Sequence, residues 1–163
     1  MVADMPHRLT VDLVPASQWG DNLRSRLKPA EWDRLRRACY EAAGHRCEVC
    51  GGKGRKWPVE CHERWEYDTE ARVQRLVGLI ALCPTCHLVK HIGRAFAVGR
   101  GPQAVKHLRK VNGWSEQECA EYLDRAWAEW EERSRHEWVL DISFAVGVSP
   151  GGLPPYPYHK ETT

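Results

Sequence analysis

The chain has 163 residues, 42% of them hydrophobic and 28% charged, which suffices for the core of one domain with appendages. It contains no run of 18 apolar residues and no long apolar stretch near its start, so we expect neither a transmembrane helix nor a signal peptide, and a cytoplasmic location. The net charge is +2, but it is unevenly distributed, since residues 21–110 contain 19 Lys and Arg against 10 Asp and Glu. This basic region indicates either a solvated basic surface or a face that binds a polyanion such as nucleic acid.

The first predicted elements precede the cysteine pairs. Alternating apolar and polar residues predict a short strand over 8–15, followed by an irregular arm over 16–27. A helix is predicted over 30–43, ending at Gly44. The sequence CEVCGGKGRKWP, residues 47–58, is rich in Gly and Lys and predicts a tight loop, which we name the knuckle loop.

A hairpin and three helices follow the knuckle loop. Ser115 and Glu118 have the spacing of a capping box, which predicts the start of the last helix. We expect the helices to bury the aromatic side chains of Trp32, Tyr122, Trp127 and Trp130. The predicted elements are strands at 59–65 and 76–82, helices at 84–98, 102–111 and 115–136, a strand at 137–143, and a tail rich in Pro and Gly.

Four of the seven cysteines form two CxxC pairs, Cys47 with Cys50 and Cys83 with Cys86, separated by 32 residues. Each pair can bind one edge of a tetrahedral Zn²⁺ ion, so the spacing predicts a structural zinc site. Four free thiols in a core are the alternative. A zinc ion here would join the knuckle loop, the hairpin and the following helix, and would contribute much of the folding free energy.

A second group of candidate ligands lies between and beside the cysteine pairs. His87 and His91 are four residues apart on the predicted helix, so they share a face that looks toward the hairpin carrying Cys61 and His62. A thiolate and two imidazoles can hold a second ion with open coordination positions. Because neighbours on a strand point to opposite sides, one of Cys61 and His62 would bind metal while the other stands beside the reacting group. For any single histidine, a surface or core role is the alternative.

Over residues 44–96, the order of a CxxC pair, a strand with a His-containing pair, an apolar strand and ALCPTCHLVKH resembles the HNH endonucleases, in particular those with a structural zinc on two CxxC pairs. The resemblance implies an α+β fold with a ββα-metal, treble-clef-like core and additional flanking helices. It implies that His62 is the general base, that Cys61 binds the catalytic ion, and that His87 and His91 bind the ion or phosphate. The chain then divides into an N-terminal strand, arm and helix (1–43), an HNH-like zinc core (44–98), C-terminal helices with a possible strand (99–143) and the tail (144–163).

The function that this resemblance implies is metal-dependent hydrolysis of phosphodiester bonds, in the first place in double-stranded DNA. The cofactors would be the structural zinc and a second divalent ion, Zn, Ni, Co, Mn or Mg. His62 would take a proton from water, while the ion on Cys61, His87 and His91 would stabilise the charge on the phosphate and the leaving oxygen. The residues expected to hold flanking phosphates, each of which could equally serve solubility, are Lys53, Arg55, Lys56, Lys90 and Arg94.

Two features depart from the family pattern. The Asn of HNH would fall where this chain has Gly78, so its role would pass to another group, with Asp68 and Gln74 as candidates. Cys61 is softer than the usual Asp and favours Zn²⁺, Ni²⁺ or Co²⁺ over Mg²⁺. These departures leave open a catalytically degenerate zinc-scaffolded module that binds nucleic acid without cutting it. A third class is a protein-interaction domain that uses the acidic helix 115–136.

Overall fold

The computed structural model describes residues 8–146, which adopt the expected mixed α+β fold. The capping box at the start of the last long helix is present, since Glu118 N donates to Ser115 Oγ at 3.2 Å. No helix within the described range is long and apolar enough to cross a membrane. The described elements are a 3-10 turn (Ala16–Gln18), α1 (Leu23–Arg26), α2 (Pro29–Ala42), β1 (Glu60–Asp68), β2 (Val73–Leu82), α3 (Pro84–Lys90), α4 (Ile92–Ala97), α5 (Gly101–Asn112), α6 (Glu116–Ser134), β3 (Val139–Asp141) and α7 (Ser143–Val146).

The three strands form one sheet in the order β1–β2–β3. β1 and β2 pair antiparallel with His62 opposite Ile80, and the register shifts at a bulge between Arg64 and Trp65. β3 pairs with β2 in parallel. The predicted hairpin is therefore present, and both of its strands are longer than the sequence indicated.

The strand predicted over 8–15 is wrong. This N-terminal segment is largely irregular and pairs with no strand. Its apolar side chains pack on the helices, and helical groups satisfy the amides that a neighbouring strand would have bonded. These bonds run from Leu9 N to Asn112 Oδ1 at 3.1 Å, from Val11 N to Tyr122 Oη at 2.9 Å, and from Asp12 N to Lys90 O at 2.9 Å.

The single helix predicted over 84–98 is divided into α3 and α4. The chain leaves helical geometry at His91, with φ of −94° and ψ of 46°. Backbone hydrogen bonds still bridge the break, from His91 N to His87 O at 3.2 Å and from Ala95 N to His91 O at 2.9 Å. The break therefore falls on one of the predicted ligands and reorients the chain there without separating the two helices.

The predicted C-terminal elements are shorter than expected. The strand at 137–143 is reduced to β3, and residues 144–146 of the predicted tail belong to α7. Residues 147–163, the rest of that tail, lie outside the described residues.

A large hydrophobic cluster joins segments from most of the described chain. The four aromatic side chains expected in the core, Trp32, Tyr122, Trp127 and Trp130, are half-buried instead. A second, smaller cluster packs α1 and α2 on β2 and α7. Fully buried members of the large cluster include Leu9, Leu82, Val89, Ile92 and Leu108.

Candidate metal centres

The four cysteines of the CxxC pairs, which we name the cysteine cluster, have Sγ atoms that all lie within 4.8 Å of one another. They come from the knuckle loop and from the start of α3. Cys50 Sγ and Cys83 Sγ are 3.7 Å apart. Two thiolates at about 2.3 Å from a tetrahedral zinc ion are separated by about 3.8 Å. The cysteine cluster is thus a possible zinc-binding site, as its spacing predicted.

Electrostatics within the cysteine cluster favour a bound cation. Cys50 N donates to Cys47 Sγ at 3.5 Å, and Cys86 N donates to Cys83 Sγ at 3.4 Å. A hydrogen bond from Cys86 lowers the pKa of Cys47 to about 4, whereas the hydrogen bond to Cys47, followed by burial, raises the pKa of Cys86. A thiolate at one position therefore disfavours a thiolate at the next. A cation at the centre removes this conflict and allows all four sulfurs to be thiolates.

Two residues outside the CxxC motifs support the cysteine cluster. His107 on α5 places Nε2 at 3.1 Å from Cys86 Sγ, where an imidazole N–H stabilises a thiolate. Glu48 ties the knuckle loop to β2, since its carboxylate accepts from Ala81 N at 2.6 Å and its amide donates to Ala81 O at 2.9 Å. The sequence reasoning missed both residues, because neither belongs to a spaced motif.

A second group of candidate ligands, the histidine cluster, comprises His62 on β1, His87 on α3 and His91 between α3 and α4. One ring nitrogen from each residue lies within 4.8 Å of the other two. His87 Nε2 and His91 Nε2 are 3.1 Å apart, and two nitrogens at about 2.0–2.1 Å from a tetrahedral ion are separated by about 3.3 Å. The His62 ring meets both other rings edge-on, with centroids 5.3 and 4.9 Å away. The structure thus brings three imidazoles together in an arrangement that suits a divalent ion.

Two carboxylates hold rings of the histidine cluster. Asp12 Oδ2 lies 3.0 Å from His62 Nε2, and Glu60 Oε2 lies 2.6 Å from His87 Nδ1. When each ring is neutral, the carboxylate accepts its one N–H, which leaves His62 Nδ1 and His87 Nε2 with a lone pair. His62 Nδ1 is buried and has no hydrogen-bond partner among the described residues. A carboxylate on the far nitrogen is the usual support of a metal-binding histidine.

The protonation states of the side chains in and around the histidine cluster also suit a metal site. Burial, followed by the charge of His62, lowers the pKa of His87 and lowers that of His91 to about 4. Burial raises the pKa of Asp12, but the hydrogen bond and the charge of His62 outweigh it, so the net pKa is lowered. At neutral pH the rings of His87 and His91 are neutral, which is the form that binds metal, and Asp12 is ionised.

The structure separates Cys61 from the histidine cluster and corrects its predicted role as a ligand of the second ion. Its side chain packs in a hydrophobic cluster with Cys39, Val59 and Ala81. Hydrogen bonding with Cys39, followed by burial, raises the pKa of the Cys61 thiol. Neighbours on β1 do point to opposite sides, but His62 is the one that faces the helix carrying His87.

We expect the Cys61→Ala variant to retain the full metal content of the wild-type protein. The substitution removes a sulfur that faces Cys39 and costs about 1 kcal/mol of unfolding free energy. Metal analysis by mass spectrometry, combined with a urea titration, measures both quantities. Loss of one bound ion per chain in this variant would restore Cys61 as a ligand.

His62 is buried, with 4% exposure, and its expected supporting residues lie elsewhere. Asp68 is six residues further along β1, about 20 Å at about 3.3 Å per residue, and accepts two amide hydrogen bonds in the hairpin turn. Gln74 lies at the same end of the hairpin, opposite Tyr67. Neither can steady His62. Asp12, 50 residues earlier in the chain, does so instead, and no local motif marks it.

The predicted phosphate ligands differ in their availability. Lys90 Nζ donates to Thr10 Oγ1 at 2.8 Å, and burial lowers the pKa of this lysine. The structure therefore turns Lys90 inward, toward the N-terminal segment, which corrects its expected role at the surface. The other four side chains are exposed, namely Lys53, Arg55 and Lys56 on the knuckle loop and Arg94 on α4.

The two clusters support different chemistry. Four thiolates close a tetrahedral shell and suit a structural zinc. Three imidazoles leave at least one position for water or a substrate oxygen, which suits a catalytic ion. No protein-family model, curated protein or solved structure matches this chain.

Proposed function

We propose that this protein is a metal-dependent endonuclease that hydrolyses phosphodiester bonds in nucleic acid. In this proposal the cysteine cluster holds a structural zinc and the histidine cluster holds a catalytic divalent ion. The observation that supports it most is the convergence of three imidazoles, two of them held by carboxylates, in a fold whose cysteine cluster joins the knuckle loop to α3. The order β1, β2, α3 agrees with the ββα-metal core of the HNH endonucleases that the sequence resembles.

A divalent ion on the histidine cluster would act as a Lewis acid on the phosphate and lower the pKa of the attacking water. A proton held on His62 Nε2 by Asp12 and on His87 Nδ1 by Glu60 would leave the other nitrogen of each ring free to bind the ion. Arg94 follows His91 by about one helical turn, and its exposed guanidinium is available to an adjacent phosphate oxygen.

In this proposal His62 binds the ion and is not the general base. Its Nε2 is engaged by Asp12, and its Nδ1 is the atom left for the ion. No nitrogen of the His62 ring then remains to accept a proton from water. The acidity of the attacking water would come from the ion, and the proton would pass to solvent.

A zinc-scaffolded module that binds nucleic acid without cutting it is the second candidate. Two observations favour it. Gly78, which lies opposite Arg64 on the neighbouring strand, occupies the position where the HNH family has Asn. His62 is also buried. The exposed cations of the knuckle loop suit both candidates, because they can contact phosphates whether or not cleavage follows.

A nicking assay tests the proposal. We expect the purified protein to convert supercoiled plasmid to the open circle with at least one of Mg²⁺, Mn²⁺, Zn²⁺, Ni²⁺ or Co²⁺. The His87→Ala variant, prepared in parallel, controls for contaminating nuclease, since it lacks one ligand and keeps the cysteine cluster. A salt-dependent gel shift without cleavage under any of the five ions would establish the binding module instead. Failure of both assays would contradict both candidates.

A further inference from the structure

A cavity of about 540 Å³ opens beside the histidine cluster. Its volume lies in the range of small-molecule binding sites. Three tryptophans, Trp19, Trp127 and Trp130, line it together with Arg94 and His91. Because His91 belongs to both, the cavity adjoins the candidate metal site.

The indole rings are held in place while part of their surface stays accessible. Trp19 Nε1 and Trp130 Nε1 both donate to Val14 O, at 3.1 and 3.0 Å. The two rings are stacked, with centroids 6.2 Å apart and planes 19° apart, and Trp127 meets Trp130 edge-on at 5.5 Å. Trp19 is 69% exposed. Since the N–H groups of Trp19 and Trp130 are already bonded, these two rings offer a ligand aromatic surface suited to stacking on another planar ring.

The cavity offers an exposed cation, Arg94, to the anionic group of a planar ring, while the Asp12 carboxylate on its wall is engaged by His62. The Arg94 guanidinium is exposed and makes no hydrogen bond or ion pair with any other residue of the described range. It lines the same cavity as the tryptophans. A nucleotide combines these features, because its base can stack on indole while its phosphate binds a guanidinium.

A glycine leaves room for such a ring. Gly93 on α4 lines the cavity, and a Cβ at this position would lie 3.5 Å from Trp127 and 3.6 Å from Leu13. A Cβ alone would make ordinary contacts, whereas a longer side chain would occupy the cavity. The position therefore offers a substitution that fills the space without removing a tryptophan.

We propose that this cavity receives an unpaired nucleobase of the strand whose phosphate lies at the histidine cluster. The inference rests on the proposed function, and it narrows the substrate to single-stranded nucleic acid or to a duplex with an extruded base. In a paired duplex both faces of each base are stacked on neighbours, so a base reaches an indole only after it leaves the stack. Stacking on aromatic side chains tolerates all four bases, so the cavity selects unpaired structure over sequence.

The test compares binding of two fluorescein-labelled single-stranded 12-mers that differ at one central position, adenine in one and a base-free tetrahydrofuran spacer in the other. Fluorescence anisotropy is measured without added divalent ions, so the strands stay intact. We expect the wild-type protein to bind the adenine strand about tenfold or more tightly than the base-free strand. Trp19→Ala and Gly93→Leu should each bring this ratio close to one. Trp57→Ala, which removes an exposed tryptophan from the knuckle loop, should leave the ratio unchanged.

Three results would overturn the inference. The first is a wild-type ratio near one, and the second is an unchanged ratio in both Trp19→Ala and Gly93→Leu. The third is equal affinity for deoxyadenosine monophosphate and the adenine strand, which would make the occupant a free nucleotide. Plasmid nicking by a protein with a ratio near one would leave the nuclease proposal intact and remove the base site. A high ratio without nicking would support the base site and contradict the nuclease proposal.

Discussion

Replacement of Cys86 by Ser is expected to release the structural zinc and to lower the free energy of unfolding by about 4 kcal/mol or more. Cys86 is fully buried in the cysteine cluster, and a serine hydroxyl there is a poor zinc ligand that also leaves a buried polar group. The cluster joins the knuckle loop to α3, so loss of the ion frees both elements. Metal analysis by mass spectrometry and chemical denaturation measure the two effects.

Cys119→Ser is the matched control for this substitution. Cys119 is buried to a similar degree, with 1% exposure, but it lies on α6 outside the cysteine cluster. The Cys119→Ser variant should lose about 1–2 kcal/mol of unfolding free energy and no zinc. An unchanged zinc content in the Cys86→Ser protein, or equal destabilisation of the two variants, would contradict a structural role for the ion.

Replacement of His62 by Ala is expected to remove the second ion and to reduce cleavage at least about a hundredfold. One ion per chain should remain, held by the cysteine cluster, because His62 is not one of its four ligands. The ratio of bound metal to protein is the decisive measurement. If His62 were only a general base, its removal would abolish cleavage and leave both ions bound.

A second variant distinguishes loss of the second ion from a general folding defect. Removal of His62 leaves the Asp12 carboxylate without its partner, which alone can destabilise the fold. The ring of His91 packs against His62 and His87, but much of the residue's surface remains exposed, so His91→Ala should lose the second ion at a smaller cost in stability than His62→Ala. Excess metal should partly restore its cleavage, because a ligand is missing. His136 lies just after the end of α6, pairs with Glu132 and does not belong to the histidine cluster, so His136→Ala should behave as the wild type in both assays.

The site residues that the sequence located are those related by short spacings. Each CxxC pair and the pair His87 and His91 lie within one turn of chain, so local geometry alone places their atoms together. The structure brings both sets together as the spacing predicted. The break at His91 escaped prediction, because the nearest glycine, Gly93, lies inside α4 and not at the break.

The choice between Cys61 and His62 depended on register, which the sequence pattern leaves open. Both residues are polarisable enough to bind metal, and both sit in a strand without clean alternation. Pairing with β2 decides which of them faces α3. A shift of one residue in the register would have exchanged the two side chains.

Asp12 could not have been found from local sequence. It lies in a segment whose alternation predicted a strand, and its contact with His62 spans 50 residues. The alternation is real, but the apolar side chains pack on helices and the amides bond to helical groups. Periodicity reports which residues are buried and does not report what covers them.

We expect the N-terminal segment to dock late in folding. Val11 bonds Tyr122 across 111 residues of chain, and Asp12 reaches His62 across 50. Contacts of such separation form slowly, since a long loop must close before they are made. The hairpin and the cysteine cluster can assemble while Asp12 is still detached and the His62 ring is free to turn. Orientation of the histidine cluster is thereby tied to completion of the fold, so under the proposed function a nascent chain would acquire its cleaving site only once the N-terminal segment has docked.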